Sequence, residues 1–408
     1  MKTFRRIAIY LSLFGPGLIT SMIDNDAGGI TTCSVSGARY GYNLLWTIIP
    51  ITISLIVVQE MVARLGIVTG KGLADLIREN YGIKNTFFLM VGLFIANLGT
   101  TVADLAGFAA SMEILGINKY LVVPLGTAII WLLISKGSYK FVEKVLLSAC
   151  IIFFGYIIAG VMAKPDWHKV MQNTFVPHIK FESEYLMLVI AIIGTTITPW
   201  MQFYYQSSII EKGLKKSHLI VTKIEIVIGS IATNLISVFI IITCAAVLFP
   251  KGIRINEAAE VSIALEPFAG EYAKIIFAIS LANASILGAI IVPLASAYYI
   301  CEAMGWESGV EKTFNEAPQF IWIYSISIFL SALLVMIPGA PLVLLMVLSS
   351  FANGILLPFV LVYAISLVNN KTLMGEYTNS RGYNIVAWVT IGVLIVLSIG
   401  MVFSLYLQ

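Results

Sequence analysis

Apolar runs, each about long enough to cross a lipid bilayer, follow one another along almost the whole chain. A helix needs roughly 20 apolar residues to cross about 30 Å of hydrocarbon, and an open sheet would leave its edge backbone groups without partners there. Eleven runs meet this criterion, at positions 7–35, 42–65, 86–115, 120–136, 141–163, 185–212, 219–249, 270–304, 318–337, 340–368 and 383–407. The pattern predicts an all-α polytopic membrane protein with about eleven transmembrane helices.

Two of these runs contain residues that break helices. The first carries Gly15-Pro-Gly and then Asp24-Asn-Asp-Ala-Gly-Gly29, and the sixth carries Gly194-Thr-Thr-Ile-Thr-Pro-Trp200. One such break is an ordinary kink, but these two occupy matched positions in segments 1–5 and 6–10. Matched broken helices are typical of inverted-repeat transporters and mark the substrate site near the bilayer midplane. The sequence therefore predicts one transmembrane domain over 1–408, with repeats at about 7–163 and 185–368 and an extra helix at 383–407.

Composition and charge narrow the function. Charged residues make up 12% of the chain, against roughly 25% in soluble domains. The net charge of +3 is too small to indicate a nucleic-acid partner. The chain has no P-loop, GxSxG or HExxH motif, so neither an ATP-driven pump nor another enzyme is expected. The expected partners are the lipid bilayer and a substrate, with no obligate protein partner evident and no cofactor.

Lysine and arginine positions predict the orientation in the membrane. With the N-terminus inside, 17 of the 25 Lys and Arg residues fall on the cytoplasmic side. Cytoplasmic loops carry an excess of these residues. The expectation is a multi-pass protein of the plasma membrane with a cytoplasmic N-terminus and an extracytoplasmic C-terminus.

The first break holds the leading candidates for ion binding. Asp26 is an acid at mid-membrane depth, where carboxylates are costly and are functional by default; the alternative is a structural cap held by helix amides. Gly29 allows the backbone to approach a ligand closely, and unwinding frees carbonyls such as that of Ile23. Oxygen donors of this kind suit a hard cation. Asp24 is either a neighbouring ligand or a residue of the ion pathway.

Further candidates lie in three other segments. Thr195 and Thr198 are predicted one turn apart on one face of segment six, opposite the first break. The alternative is that each hydroxyl bonds the carbonyl four residues earlier. Asp104 in segment three is a candidate pathway or gating acid. Asn353 in segment ten is either a ligand or a helix-packing residue.

Several motifs resemble the natural resistance-associated macrophage protein (Nramp) family of divalent-metal transporters. The run Ala38-Arg-Tyr-Gly-Tyr-Asn-Leu-Leu-Trp46 is similar to a family motif, and aligning back from it places Asp26-Ala-Gly-Gly29 on the family's metal-binding D-P-G-N. Ala103-Asp104-Leu-Ala resembles T-D-L-A in family helix three. The resemblance implies eleven or twelve helices, a five-plus-five inverted repeat and a metal bound at the two breaks.

The chain also departs from the family pattern at its functional positions. The D-P-G-N asparagine falls on Gly29 and the M-P-H methionine on Thr198. The histidine six residues after the helix-six proline falls on Tyr205, which we place on the ion pathway. The glutamate after the helix-three aspartate falls on Gly107, and the helix-ten glutamine falls one turn from Asn353.

These departures change the expected ion. Thioether sulfur favours softer ions, whereas oxygen-only sites suit Mg²⁺ or Ca²⁺. The pattern resembles the Nramp-related magnesium transporters, so we expect uptake of Mg²⁺ first, with Mn²⁺ as a further candidate substrate, by alternating access and without proton coupling. The alternatives are a proton-coupled Mn²⁺/Fe²⁺ transporter of the Nramp type and a sodium-coupled amino-acid transporter of the same fold.

Overall fold

A computed structural model describes residues 25–136, 152–153 and 155–406, and within these ranges the chain is helical, without strands. Eight stretches of the described chain are long and apolar enough to cross a membrane. The main helices are α1 Ala27–Tyr40, α2 Ile48–Thr69, α3 Leu73–Ile114, α4 Lys119–Lys136, α5 Gly155–Met162, α6 Trp167–Phe175, α7 Ser183–Thr196, α8 Pro199–Glu211, α9 Leu219–Val247, α10 Ala273–Met304, α11 Pro318–Val335, α12 Leu342–Val368 and α13 Arg381–Tyr406. The predicted all-α polytopic fold is confirmed.

The helices follow the predicted apolar runs closely. Segments 120–136, 219–249, 318–337 and 340–368 each coincide with a helix to within two residues, as expected when length and hydrophobicity decide the element. Most of segment 141–163 and the first part of segment 7–35 lie outside the described residues. The division into two repeats stays a prediction.

Helix α3 begins well before its predicted start at residue 86. Its 42 residues are bent at Gly82, which adopts φ 79° and ψ 165°. Such a positive φ is accessible to glycine at little cost. The bend separates a first segment, 73–81, from the part of α3 that follows it.

Helices α7 and α12 cross with their backbones in contact. A methyl group added at Gly194 would collide with the Ser350 carbonyl oxygen and the Gly354 amide, and one added at Gly354 would collide with the Ile190 carbonyl oxygen. Small residues permit this close approach inside a membrane. The crossing fixes the end of α7 against the middle of α12.

This crossing predicts that alanine substitution has different effects at two helical glycines. Gly194→Ala is expected to destabilise the protein by about 1–3 kcal/mol, because backbone atoms cannot move aside as a flexible side chain could. Gly99→Ala is the matched control, since no atom lies within 4 Å of the added methyl group. Thermal unfolding in detergent, followed by size-exclusion fluorescence, measures the difference. Equal melting temperatures for the two variants would contradict the crossing.

Candidate functional site

Helix α1 starts directly after the predicted acid. Asp26 has extended backbone angles and is the N-cap of α1, where its Oδ1 accepts a 2.7 Å hydrogen bond from the Gly29 amide. Only 4% of Asp26 is exposed. Asp26 therefore caps α1, as the structural alternative predicted. The capping hydrogen bond uses one of its two carboxylate oxygens. Ile23 and Asp24 lie outside the described residues.

The second break lies between α7 and α8. Helix α7 ends at Thr196, Ile197 and Thr198 have non-helical backbone angles, and α8 begins at Pro199. Pro199 has no N–H, so the Thr195 carbonyl loses the donor that would reach it in a continuous helix. The prediction that Thr195 and Thr198 share one helical face is wrong, because the chain unwinds between them.

The threonine hydroxyls at this break differ in their bonding. Thr196 donates to the Ile192 carbonyl at 2.8 Å, four residues earlier. The Thr198 hydroxyl is buried and has no hydrogen-bond partner in the described part of the chain. A buried hydroxyl without a partner is costly, so this oxygen is suited to a ligand or water in the gap.

Ser350 on α12 joins the two breaks. A methyl group added at Gly28 would lie 2.9 Å from the Ser350 hydroxyl and 3.2 Å from Asp26 Oδ1. The Ser350 carbonyl lies against Gly194 near the end of α7. Ser350 therefore contacts both helices, with its hydroxyl near the start of α1 and its carbonyl near the end of α7.

Asp104 lies beside the first break. It is fully buried, and neither carboxylate oxygen has a hydrogen-bond partner within the described ranges. Its carboxylate packs directly against Gly288 of α10. One turn further along α3, Gly107 is in close contact with Ala27, the residue after Asp26. Asp26 and Asp104 therefore both lie at the contact between α1 and α3.

Asn353 and Tyr205 lie in different surroundings. The Asn353 amide donates to Thr100 of α3 at 2.9 Å, while its Oδ1 is buried without a partner among the described residues. Helix packing therefore explains the position of the Asn353 amide nitrogen, but not that of its Oδ1. Tyr205 is fully buried on α8, and the structure gives its hydroxyl no partner in the described ranges.

Two side chains at the first break were not identified from the sequence. Asn25 donates to Thr233 at 2.6 Å and accepts from Ser237 at 3.2 Å, which ties the start of α1 to α9. The sulfur of Met346 accepts a 3.3 Å hydrogen bond from the Thr31 hydroxyl. It also lies 3.4 Å from where a Gly107 methyl group would be. The thioether sulfur of Met346, a soft metal ligand, therefore lies near a site where the sequence predicts only oxygen ligands.

The surroundings of Asp26 are closed, with cavities toward both ends of the molecule. One cavity of about 500 Å³ lies at the end of α1, where Tyr40 and Asn43 line it. Another of about 380 Å³ lies at the opposite end of α2, beside Gly70 and Asp75. At the Tyr40 end of α1, Arg39 forms an ion pair with Glu184 of α7. Among the described residues, no group of three or more His, Cys, Asp or Glu side chains could hold a metal.

Comparison with known proteins identifies the family. A sequence model described as natural resistance-associated macrophage protein-like (Nramp) matches residues 17–404. The chain belongs to the Nramp family. This confirms the resemblance drawn from the motifs, while the magnesium-transporter branch within it stays a prediction. Nramp proteins are membrane transporters and are not a class of enzymes.

Individual relatives extend the comparison. The chain is 26% identical over 411 residues to a divalent metal cation transporter, MntH, of Deinococcus radiodurans, covering 97% of this chain and 90% of that protein. A crystal structure of an Eremococcus coleocola manganese transporter is similar, with a TM-score of 0.77 at 19% identity, over 95% of this chain and 85% of that one. MhsT in complex with L-phenylalanine has a TM-score of 0.61 at 13% identity, over 96% and 97%. The two structures show the shared fold.

Proposed function

We propose that this protein imports divalent metal cations by alternating access around Asp26. The observation that carries the proposal is the placement of this buried carboxylate at the start of one broken helix, beside a residue of α12 that also contacts the other. Inverted-repeat transporters bind their substrate between two such breaks. The family membership and the name of the D. radiodurans relative support a divalent cation.

The local electrostatics favour a cation over an anion. Helix α7 ends with carbonyl groups directed into the gap, and the C-terminal end of a helix carries partial negative charge. Asp26 adds a formal negative charge, and the Thr198 hydroxyl adds an oxygen without a partner. A bound dication would satisfy these groups together, with water as the remaining ligands.

The amino-acid alternative is less well supported by the same geometry. MhsT, whose structure contains L-phenylalanine, shares the fold. In such a transporter the start of a half-helix would face the substrate carboxylate. Here Asp26 occupies that start and would repel it.

The identity of the ion rests on two opposed observations. The named relatives favour Mn²⁺, and the Met346 sulfur near the first break adds a soft donor. Thr198 in place of the family methionine, and Gly29 in place of the asparagine, favour Mg²⁺, which retains water and prefers oxygen ligands. The comparisons alone give Mn²⁺ the stronger support. We propose Mg²⁺ from the residues at the two breaks, with Mn²⁺ as the second candidate.

A flux panel in liposomes tests both parts of this proposal. Uptake of Mg²⁺, Mn²⁺, Ca²⁺ and Cd²⁺ is measured for the natural protein and for Thr198→Met combined with Gly29→Asn. We expect the variant to shift preference from Mg²⁺ toward Mn²⁺ and Cd²⁺, because the introduced thioether is a softer ligand than the threonine hydroxyl.

The matched control is Met346→Leu, which removes the other thioether without changing its volume greatly. If Met346→Leu alone lowers Mn²⁺ and Cd²⁺ uptake relative to Mg²⁺, the Mn²⁺ candidate gains the stronger case. An unchanged ion ranking in the double variant would show that ion choice is set away from the two breaks.

A further inference from the structure

An exposed apolar stripe runs along α6, the short helix in the connection between segments five and six. Trp167, Met171 and Phe175 are 47%, 57% and 65% exposed. Side chains four residues apart lie on the same face of a helix. We call these three side chains the α6 stripe. The chain that follows α6 exposes three more large apolar side chains, at Val176, Ile179 and Phe181. Exposed apolar surface of this extent marks an interaction site.

The other side of α6 is polar and faces the protein. Lys169 and Asn173 lie on the face opposite the α6 stripe, and with Asp166 they line the cavity of about 500 Å³ at the end of α1. Val170 is buried. Helix α6 packs here against the short 3-10 helix Gly41–Thr47, which follows α1. The helix is therefore held by one side, and the α6 stripe points away from the protein.

Helix α9 shows the level of α6 in the membrane. The Trp167 ring lies against the Phe239 ring, with 6.5 Å between the two centroids. An exposed apolar row precedes Phe239 on α9, at Ile220, Ile224, Ile228, Ile231 and Leu235. Lys215 and Lys216 lie directly before this row. A helix rises about 29 Å between Ile220 and Phe239, close to the roughly 30 Å thickness of the hydrocarbon. Trp167 therefore lies at one boundary of the hydrocarbon.

The end of α5 lies at the same level. Its last residues before the turn into α6 include three exposed apolar side chains, at Ile158, Val161 and Met162. A methyl group added at Gly160 of α5 would collide with the Phe239 ring. Phe239 thus contacts both α5 and α6. The α6 stripe therefore continues the exposed apolar surface of two helices that belong to predicted membrane segments.

We propose that α6 lies in the membrane–water boundary and inserts the α6 stripe among the headgroups and upper acyl chains of a phospholipid leaflet. Helices that bind at this level have an apolar face opposite a polar one, and tryptophan is enriched there. The continuity of the stripe with the exposed row of α9 favours lipid over a protein as the occupant. Because the polar face of α6 forms part of the cavity wall, the membrane surface would hold that wall in place.

A contact with a second copy of the chain, or with another protein, is the competing explanation. An apolar helix face of this size could serve either purpose. That explanation predicts that the α6 stripe is exposed to water when one copy is alone in a bilayer. Insertion predicts that the stripe is in contact with lipid in the same sample. Accessibility measured on single copies distinguishes the two explanations.

The experiment places a nitroxide spin label on α6 in the full-length protein. Met171→Cys and Phe175→Cys are made in a Cys150→Ala background, because the other three cysteines are buried. Each labelled protein is reconstituted as one copy per phosphatidylcholine nanodisc. Collisions of the label with oxygen, which concentrates in hydrocarbon, and with a water-soluble nickel complex are measured by power saturation. Ile228→Cys, in the exposed row of α9, and Lys169→Cys, on the cavity side of α6, are the controls.

Both labels on the α6 stripe should show a ratio of oxygen to nickel collisions well above that of Lys169→Cys and approaching that of Ile228→Cys. A ratio equal to that of Lys169→Cys would place the stripe in water and overturn the proposal. Low collision rates with both reagents would mean that other parts of the chain cover the stripe, which would overturn it equally. Met171 and Phe175 are both exposed, so either variant decides alone if the other does not fold.

Discussion

Asp26→Asn is expected to abolish divalent-cation uptake while the protein remains folded in the membrane. Asparagine can still accept the hydrogen bond from the Gly29 amide, and it is as good an N-cap as aspartate. The substitution therefore preserves the cap of α1 and removes only the negative charge. Asp26→Ala removes both, at an additional cost of about 0.5–2 kcal/mol in stability. Flux into liposomes and thermal unfolding in detergent measure the two effects separately.

The chain supplies its own control for the loss of a cap. Asp166 is the N-cap of α6, where it accepts from the Lys169 amide at 3.2 Å, away from both breaks. Asp166→Ala should lower stability without abolishing flux. Normal flux in a well-folded Asp26→Asn protein would mean that the carboxylate serves as a cap alone, and the central proposal would be lost.

Uptake is expected to be driven by the membrane potential without proton movement. A dication crossing about 100 mV of negative-inside potential gains roughly 4.6 kcal/mol, which supports more than a thousandfold gradient at equilibrium. None of the chain's three histidines lies in a predicted membrane segment, and histidine is the usual proton shuttle near neutral pH. The positions matched to the family's glutamate and histidine are Gly107 and Tyr205.

The packing at Gly107 supports this expectation. Even a methyl group there would collide with the Ala27 side chain and would lie 2.5 Å from the Ser285 hydroxyl. No neighbouring space could therefore accommodate a carboxylate. Asp26 and Asp104 are the acids that remain near the first break, within the described part of the chain, and a bound dication favours their ionised forms.

The measurement uses proteoliposomes containing a pH dye, with a potassium diffusion potential imposed. Mg²⁺ entry should increase with the negative potential while the internal pH stays constant. Asp104→Asn is the informative variant, because it removes one of the two acids that could carry a proton and leaves Asp26 in place. Acidification in proportion to Mg²⁺ entry in the natural protein, lost in Asp104→Asn, would establish proton coupling through that acid.

The sequence predicted the helices and the second break because both depend on local composition. Hydrophobic length decides which segments span the membrane, and Pro199 can begin a helix but cannot continue one from the preceding turn. Gly28 and Gly29 lie within the first turn of α1 and do not interrupt it. The family assignment followed from motifs on those same segments. Pro199 correctly indicated a break in this segment. The prediction that Thr195 and Thr198 lie on one helical face failed because the chain unwinds between them.

Contacts between helices were harder to predict, for a physical reason. A helix that is apolar on all sides gives no sign of which face meets another helix. Ser350 and Met346 reach the first break through the rotation and crossing of whole helices, and the partners of Asn25 on α9 do so as well. The Gly194–Gly354 crossing sets part of that geometry, and glycine spacing alone does not reveal its partner. The predicted ion preference is affected most, because the position of the Met346 sulfur near the first break could not be predicted.

The tight packing around Gly107 also restricts how the protein can change by mutation. A glutamate cannot be introduced there in one step without displacing Ala27, the residue next to Asp26. Smaller side chains at positions 27 and 285 would open the space that a longer side chain at position 107 needs. Substitutions at these three contacting positions are therefore expected to depend on one another, so that an acid at 107 is better tolerated when the other two positions change with it.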